Sequence, residues 1–212
     1  MGRLTHRTSP GATYFVTTKA WQSSSVFQVR EVADIVVTKL LEYRNRGNYL
    51  LHEFVLMPNH LHLILTPTHS TGLEKAMQLI KGGSSHEIHR VRGNKMKIWQ
   101  SGFHESRVTD WTDYEKKANY VRFNPVGAKL VDRPQDWPFG SASDKYRLDP
   151  TPPGLKPPIS EPLNVGAKAP TPKEQVAHIG DAEAPTPTGA KAHITSPATA
   201  ELKLRPPKEH HA

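Results

Sequence analysis

The chain has 212 residues, no cysteine and a formal net charge of +8 at pH 7. The absence of cysteine excludes a disulfide framework and a thiolate metal site, so any metal ligands would be histidine, carboxylate or amide side chains. No apolar run of 18 residues occurs and the basic residues 1–9 precede no apolar stretch, so we expect no membrane-spanning helix, no secretory signal and a cytoplasmic location.

The composition divides the chain near residue 147. Up to Arg147 there are 21 Lys and Arg residues against 13 Asp and Glu residues, whereas the remainder has seven of each. No Phe, Trp or Tyr follows Arg147, and 13 of the 19 prolines lie from Pro150 onward. Such a segment buries too little apolar area to offset the entropy of ordering the chain. We therefore predict a folded basic domain over 1–147 and a disordered, Pro-rich tail over 148–212.

The first half of the predicted domain alternates strands with a helix. Residues 13–21 are β-branched and aromatic and follow a Pro-Gly turn, which predicts a first strand. Apolar residues at helical spacing over 29–41, followed by a glycine, predict an amphipathic helix. Residues 49–57 and 61–66 then predict two neighbouring strands joined by a Pro-Asn turn.

The second half contains two helices and one further strand. A capping box at 71–74 predicts a helix that is interrupted near Gly82-Gly83. Residues 99–108 predict a strand, and a second capping box at 112–115 begins a helix with the buried stripe Tyr114, Ala118 and Val121. Pro125 is expected to end this helix because proline disfavours helical geometry at the preceding residue. Hairpin-like strands interleaved with helices predict an α+β fold, an antiparallel sheet covered by helices.

Two pairs of side chains are the candidate site. His60 and His62 lie one residue apart on a predicted strand, so strand alternation turns both imidazoles to one face. Tyr120 and Asn124 lie four residues apart on a predicted helix, which places them within about 40° around its axis. Together they suggest a divalent cation held by two imidazoles and an amide, beside a tyrosine hydroxyl. Taken singly, each residue also has an ordinary structural role, such as Asn124 as a helix terminator.

Five motifs, in order and spacing, resemble one protein family. They are GATYFVT at 11–17, MPNHLH at 57–62, WQSGFHE at 99–105, YVRFNPV at 120–126 and WPFGS at 137–141. Residues 11–146 thus resemble a REP-associated tyrosine transposase, of the single-tyrosine HUH (His, hydrophobic, His) superfamily with an insertion-sequence 200-like transposase domain. The resemblance implies a ferredoxin- or RRM-like HUH nuclease core. The Pro-rich tail lies outside the pattern, and Gly82-Gly83 stands where basic residues are expected.

The resemblance also implies an activity. Such proteins are transposases that act on single-stranded DNA at REP-type palindromic hairpins, without a nucleotide cofactor. Carried onto this chain, Tyr120 is the nucleophile that forms a 5′-phosphotyrosine and releases a 3′-hydroxyl. His60, His62 and Asn124 are then the metal ligands, and imidazole with oxygen ligands suits Mg²⁺ or Mn²⁺. The sequence does not identify the general base.

Basic residues near Tyr120 and at the N-terminus are the expected DNA contacts. They are Arg122, Lys116 and Lys117 on the predicted helix, and Arg3 and Arg7 before the first strand. The helix residues lie within about one turn of Tyr120 and are placed to contact phosphates beside the scissile bond. A solvated helix face explains the same charges equally well.

Two other functions stay open from the sequence. The chain is either the transposase described above, a domesticated DNA-binding protein of the same fold without cleavage activity, or an unrelated protein with a structural His-pair metal site. The basic charge favours nucleic acid as partner, although solubility alone also produces such a balance. We expect single-stranded or hairpin DNA and no membrane as partner. A monomer and a homodimer, with the tyrosine acting in cis or in trans, are both compatible with the sequence.

Overall fold

Four strands and three α-helices are interleaved along residues 8–9, 11–152 and 154–155, which the computed structural model describes. In chain order the elements are β1 (Tyr14–Lys19), α1 (Arg30–Asn45), β2 (Tyr49–Met57), β3 (His60–Pro67), α2 (Gly72–Arg92), β4 (His104–Arg107) and α3 (Trp111–Gly127). The strands form one antiparallel sheet in the order β2-β3-β1-β4. The predicted α+β fold, an antiparallel sheet with covering helices, is confirmed. None of the helices in the described part is long and apolar enough to cross a membrane.

The two faces of the sheet are covered by different helices. Alternate strand residues pack against α1 and α2 in the larger core cluster, which includes Val16, Leu63, Val36, Leu40 and Ile80. The intervening residues face α3, and the smaller cluster there contains Val55, Met57, Ile64, Tyr114, Ala118 and Val121. Full burial of one such aliphatic side chain contributes about 1.5–3 kcal/mol. The predicted buried stripe of the Tyr120 helix is therefore confirmed, and it fixes α3 on the sheet.

Helix α2 runs without a break through Gly82-Gly83, so the predicted interruption is wrong. A β-carbon at Gly83 would clash with the Tyr43 ring on α1, so the close packing of α1 on α2 requires this glycine. Each glycine costs about 1 kcal/mol in a helix interior, which the buried contacts between the helices offset. The predicted capping box does not form, because Thr71 occupies the N-cap position but makes no capping hydrogen bond with its side chain.

The ends of α3 and the length of β4 also differ from the sequence prediction. Asp110, not Thr112, caps α3, because its carboxylate accepts a hydrogen bond of 2.9 Å from the Asp113 amide. The helix continues past Asn124 to Gly127, and Pro125 is buried inside its last turn. Strand β4 covers only four of the predicted residues, since the chain turns at Gly102, which has a positive φ of 69°. Trp99 forms only an isolated bridge with Ala20.

The first residues of the predicted tail lie against the domain. Asp149 pairs with Arg44 at 2.7 Å, and its carboxylate also accepts a hydrogen bond of 2.8 Å from the Leu51 amide. His52 Nδ1 donates to the Pro150 carbonyl at 2.6 Å, and Leu155 packs against the core under α3. Composition gave no sign of this attachment, because it depends on single polar groups. The remainder of the predicted tail lies outside the described residues.

Two truncations test where the folded domain ends. Removal of 156–212 is expected to leave the melting temperature unchanged, because this segment has no aromatic side chain. Removal of 148–212 also deletes the hydrogen bonds of Asp149 and Pro150 and is expected to cost about 2–5 kcal/mol. Calorimetry of both truncated proteins measures the difference. Equal melting temperatures for the two truncated proteins would show instead that the folded domain ends at Arg147.

The pair between Arg44 and Asp149 predicts a pH-dependent stability. Burial alone would raise the pKa of Asp149, but hydrogen bonds from Arg44 and the Leu51 amide lower it below its ordinary value of 3.8. A lowered carboxyl pKa contributes stability above the unfolded pKa and loses it as pH falls through the folded pKa. Asp149→Asn is therefore expected to cost about 1–3 kcal/mol at pH 7 and much less near pH 2.

The matched control for that substitution is Asp136→Asn. Asp136 makes a similar two-bond contact with Arg133, but this pair is on the surface, where the two side chains are 39% and 67% exposed. Solvent screening makes such pairs weak. Urea titrations at pH 7 should therefore show a clear loss for the Asp149 variant only, and similar losses for both variants would contradict the prediction.

Candidate active site

The register of β3 with its neighbours sets the position of the two histidines. His60 lies opposite Lys19 on β1 and Met57 on β2, and His62 lies opposite Thr17 and Val55. Directly opposed residues of an antiparallel sheet point to the same face. Both imidazoles consequently lie on the face that α3 covers, with ring centroids 4.6 Å apart. The predicted common face of the two histidines is what the structure shows.

Helix α3 brings Tyr120 to these histidines. The Tyr120 ring lies 5.1 Å from the His62 ring, centroid to centroid, at an interplanar angle of 74°. Phe15 on β1 stacks on His62 at 5.5 Å and meets the edge of Tyr120 at 5.9 Å. These contacts occur within one chain, so the phenol of this chain lies beside its own imidazole pair.

Hydrogen bonds orient both imidazoles through Nδ1. His60 Nδ1 donates to the Asn59 carboxamide oxygen at 2.6 Å, which leaves the lone pair of this ring on Nε2. His62 Nδ1 is 2.8 Å from the Thr17 hydroxyl. His62 Nε2 is buried and has no hydrogen-bond partner among the described residues. An unpaired buried polar atom costs about 1–3 kcal/mol, so this nitrogen is a position where a bound ligand would be stabilised.

The surroundings keep both imidazoles neutral. Burial, with a smaller contribution from the positive charge of Lys19, lowers the pKa of His60 to about 4. The pKa of His62 is well below its ordinary value because of burial, with repulsion from His60 and Lys19 as smaller causes. Neutral imidazoles offer lone pairs and do not repel a cation. At neutral pH both rings are therefore in the form that binds metal ions.

The donor atoms near Tyr120 are compatible with a divalent cation. Asn124 lies one helical turn after Tyr120 and is half-buried, so its amide shares the side of α3 that Tyr120 occupies. Within the described residues no group of three or more His, Cys, Asp or Glu side chains could hold a metal ion. The Asn124 amide offers an uncharged oxygen donor in addition to the two imidazoles. Two imidazoles with one amide leave positions for water and phosphate, as Mg²⁺ and Mn²⁺ require.

The basic residues predicted to contact DNA have different surroundings. The Arg122 guanidinium pairs with the carboxylate of Glu53, a residue that is only 3% exposed and also accepts a hydrogen bond from Ser141. Lys117 pairs with Asp113 one turn earlier on α3, and Lys116 is exposed. Arg3 and Arg7 lie outside the described residues. Arg122 thus ties α3 to β2, and its substitution would leave a buried carboxylate unpaired.

Other residues near the histidines are not evident from the sequence. Phe15 and Thr17 alternate on β1, but only the register with β3 shows that they contact His62. His104 on β4 also lies opposite Thr17, which places this exposed imidazole on the same face, two strands from His62. The sequence places His104 within a predicted strand, but it does not show that this strand pairs with β1.

Two solved structures are similar to this chain. In solved structures, the chain is similar to a REP-associated tyrosine transposase bound to a REP hairpin, with 21% identity and a TM-score of 0.57, covering 81% of this chain and all of the other. A protein from Deinococcus radiodurans R1 described as a candidate transposase gives 20% identity and a TM-score of 0.42, covering 54% of this chain and 90% of the other. The first likeness shows the fold. No curated protein sequence matches.

The sequence model of one family matches the part of the chain that contains His60, His62, Tyr120 and Asn124. This family is described as transposase IS200 like, and the match covers residues 13–124, from β1 to Asn124. The matched segment includes His60, His62 and Tyr120 and spans more than half of the chain. The chain therefore belongs to the family of IS200-like transposases.

Proposed function

We propose that this transposase is a metal-dependent single-strand DNA endonuclease and strand transferase that acts at REP-type palindromic hairpins through a 5′-phosphotyrosine. The main support is the contact of the Tyr120 ring with His62, whose buried Nε2 has no hydrogen-bond partner within the described residues. Family membership supports DNA transposition as the process. The solved relative bound to a REP hairpin is the reason to choose this class of DNA.

In this proposal His60, His62 and Asn124 hold Mg²⁺ or Mn²⁺. Asn59 and Thr17 occupy Nδ1 of the two rings, so each ring offers Nε2 to the ion, and such outer hydrogen bonds commonly orient metal-binding histidines. When bound, the cation polarises the phosphate and neutralises charge on its oxygens. The low pKa values of both histidines keep these ligands unprotonated at neutral pH.

Tyr120 carries out the bond exchange. Its phenolic oxygen attacks the phosphorus, the bond from phosphorus to the 3′-oxygen breaks, and the phenolic proton is transferred overall to the departing oxygen. The product ester retains the energy of the original bond, so a 3′-hydroxyl can reverse the attack or transfer the strand without a nucleotide cofactor. The stacked rings of Phe15 and His62 both contact the Tyr120 ring, which limits its orientations and favours one for attack.

A domesticated DNA-binding protein without cleavage activity is the second candidate. It would keep the basic domain but would have no need of a phenol, two neutral imidazoles and an amide on one side of the sheet. Retention of all four groups in contact or on adjoining turns favours the endonuclease.

Tyr120→Phe tests the nucleophile. This substitution removes one oxygen and keeps the ring that packs on His62 and Phe15, so the fold should be unchanged. Incubation of the full chain with a hairpin oligonucleotide and Mn²⁺ is expected to give a covalent adduct that survives denaturing electrophoresis. The Phe variant should give none. Hairpin binding without an adduct in the unaltered protein would favour the second candidate instead.

His62→Ala tests the metal site without relying on activity. A ligand that binds only the folded state stabilises that state by about 2.7 kcal/mol when its concentration is a hundred times its dissociation constant. We expect Mn²⁺ to raise the melting temperature of the unaltered protein and to have no effect on the His62 variant, with EDTA as the metal-free reference. His86→Ala, an exposed histidine on α2, is the matched control and should retain the full shift. A shift retained by the His62 variant would reject the assignment.

A further inference from the structure

A basic groove lies between α2 and the loop that follows it, on the side of the sheet away from Tyr120. Its volume is about 420 Å³, and it is lined by Lys81, Gly82, Ser85 and His89 of α2 and by the loop residues 95–101. The lining contains three lysines, Lys81, Lys95 and Lys97, and no acidic residue. A second groove of about 530 Å³ beside α1 has mixed charge, with Glu31, Asp34 and Glu87 among its lining residues. Only the first of these two grooves is complementary to an anion.

Gly82 is a second, independent sign of a ligand in this groove. It lies exposed in the interior of α2, and a β-carbon built there would meet no atom within 4 Å. Packing therefore does not explain this glycine, whereas its neighbour Gly83 is required by Tyr43. Glycine in a helix interior lowers stability relative to alanine, and close approach of a ligand to the backbone is a common reason for it. Gly82 is one of the residues that line the basic groove.

The loop side of the groove is held in place by hydrogen bonds. Lys81 Nζ donates to the carbonyls of Gln100 and Gly102, at 2.7 and 2.5 Å. His89 Nε2 donates to the Met96 carbonyl at 2.6 Å. The Lys97 ammonium lies 4.3 Å from the centroid of the Trp21 ring. The groove is thus a preformed surface between two linked segments, and its exposed Met96 adds an apolar contact at the rim.

The same loop connects the groove to the end of the sheet that carries the histidines. The Gln100 amide donates to the Lys19 carbonyl at 3.0 Å, and the Trp21 amide donates to the Ile98 carbonyl at 2.8 Å. Lys19 lies directly opposite His60 in the sheet. A DNA strand that follows the groove would therefore approach the sheet at the end where β3 begins with His60.

We propose that this groove binds the sugar-phosphate backbone of single-stranded DNA next to the hairpin, with a phosphate over Gly82 and Lys95 and Lys97 beside it. This inference rests on the proposed function and adds the path of the strand outside the cleavage site. Lysine contacts to phosphate are independent of base sequence, and Met96 offers a base an apolar surface. The groove is in the size range of small-ligand sites and so accommodates a nucleotide or two.

The charge test uses the full chain with Tyr120→Phe, so that binding is measured without cleavage. A labelled hairpin oligonucleotide with a single-stranded flank is titrated by fluorescence anisotropy at several salt concentrations. Lys95→Ala with Lys97→Ala should weaken binding at least tenfold and reduce the slope of log affinity against log salt by about 1.4, at about 0.7 per lost single-strand contact. Arg30→Ala with Lys75→Ala removes the same charge elsewhere and should change affinity less than twofold. Equal losses in both double variants would show a net-charge effect only and would reject the groove.

Gly82→Ala tests the close approach. The new methyl group has open space in the free protein, so the melting temperature should stay the same or rise. The affinity for the flanked hairpin should nevertheless fall several-fold, because the methyl group occupies the position of the phosphate. Unchanged affinity would reject the contact at Gly82. A hairpin without its flank should lose the effect of all groove substitutions, and a retained effect would assign the groove to the duplex stem instead.

The covalent-adduct assay separates this inference from the proposed function. If the adduct forms but the groove variants bind as tightly as the unaltered protein, the groove assignment fails and the function of Tyr120 stands. If groove variants weaken binding but no adduct forms, the groove stands as a DNA site and the cleavage mechanism fails.

Discussion

The packing of α3 on one face of the sheet is the interaction on which the site depends. Tyr114, Ala118 and Val121 are buried against Val55, Met57 and Ile64, and the pair between Arg122 and Glu53 adds a polar tie. This apolar stripe fixes the rotation of α3 about its own axis. Because Tyr120 directly precedes Val121, any rotation that moved the tyrosine away from His62 would also expose the stripe.

Desolvation then gives the histidine pair its chemical character. The strand register buries His62 beside His60 and Lys19. Burial and the positive charge of Lys19 keep both rings neutral, and one nitrogen of His62 has no partner in the described structure. The low pKa values and the unpaired nitrogen have the same physical cause. An environment that removes water from an imidazole makes its proton unfavourable and its lone pair available.

Positive charge is divided between structural and surface roles. Arg44, Arg122 and Lys117 are paired with carboxylates, so they hold segments together and do not present free charge. Lys95 and Lys97 lie exposed in a groove without acidic residues. The number of basic residues in a sequence therefore does not show which of them are free to contact a polyanion. Ion pairs also form between residues far apart in the sequence, such as Arg122 and Glu53. This division explains why residues chosen by their distance from Tyr120 along the chain differ in their surroundings.

The α+β fold, the strand that carries His60 and His62, and the helix that carries Tyr120 follow from the amino-acid sequence, because strand alternation and helical apolar stripes are local patterns. Three features are visible only in the folded chain: α2 is continuous through Gly82-Gly83, Phe15 and Thr17 contact His62, and Asp149 pairs with Arg44. These features depend on strand register, helix packing and ion pairs between residues far apart in the chain. Local sequence patterns do not specify which distant residue a given side chain will contact.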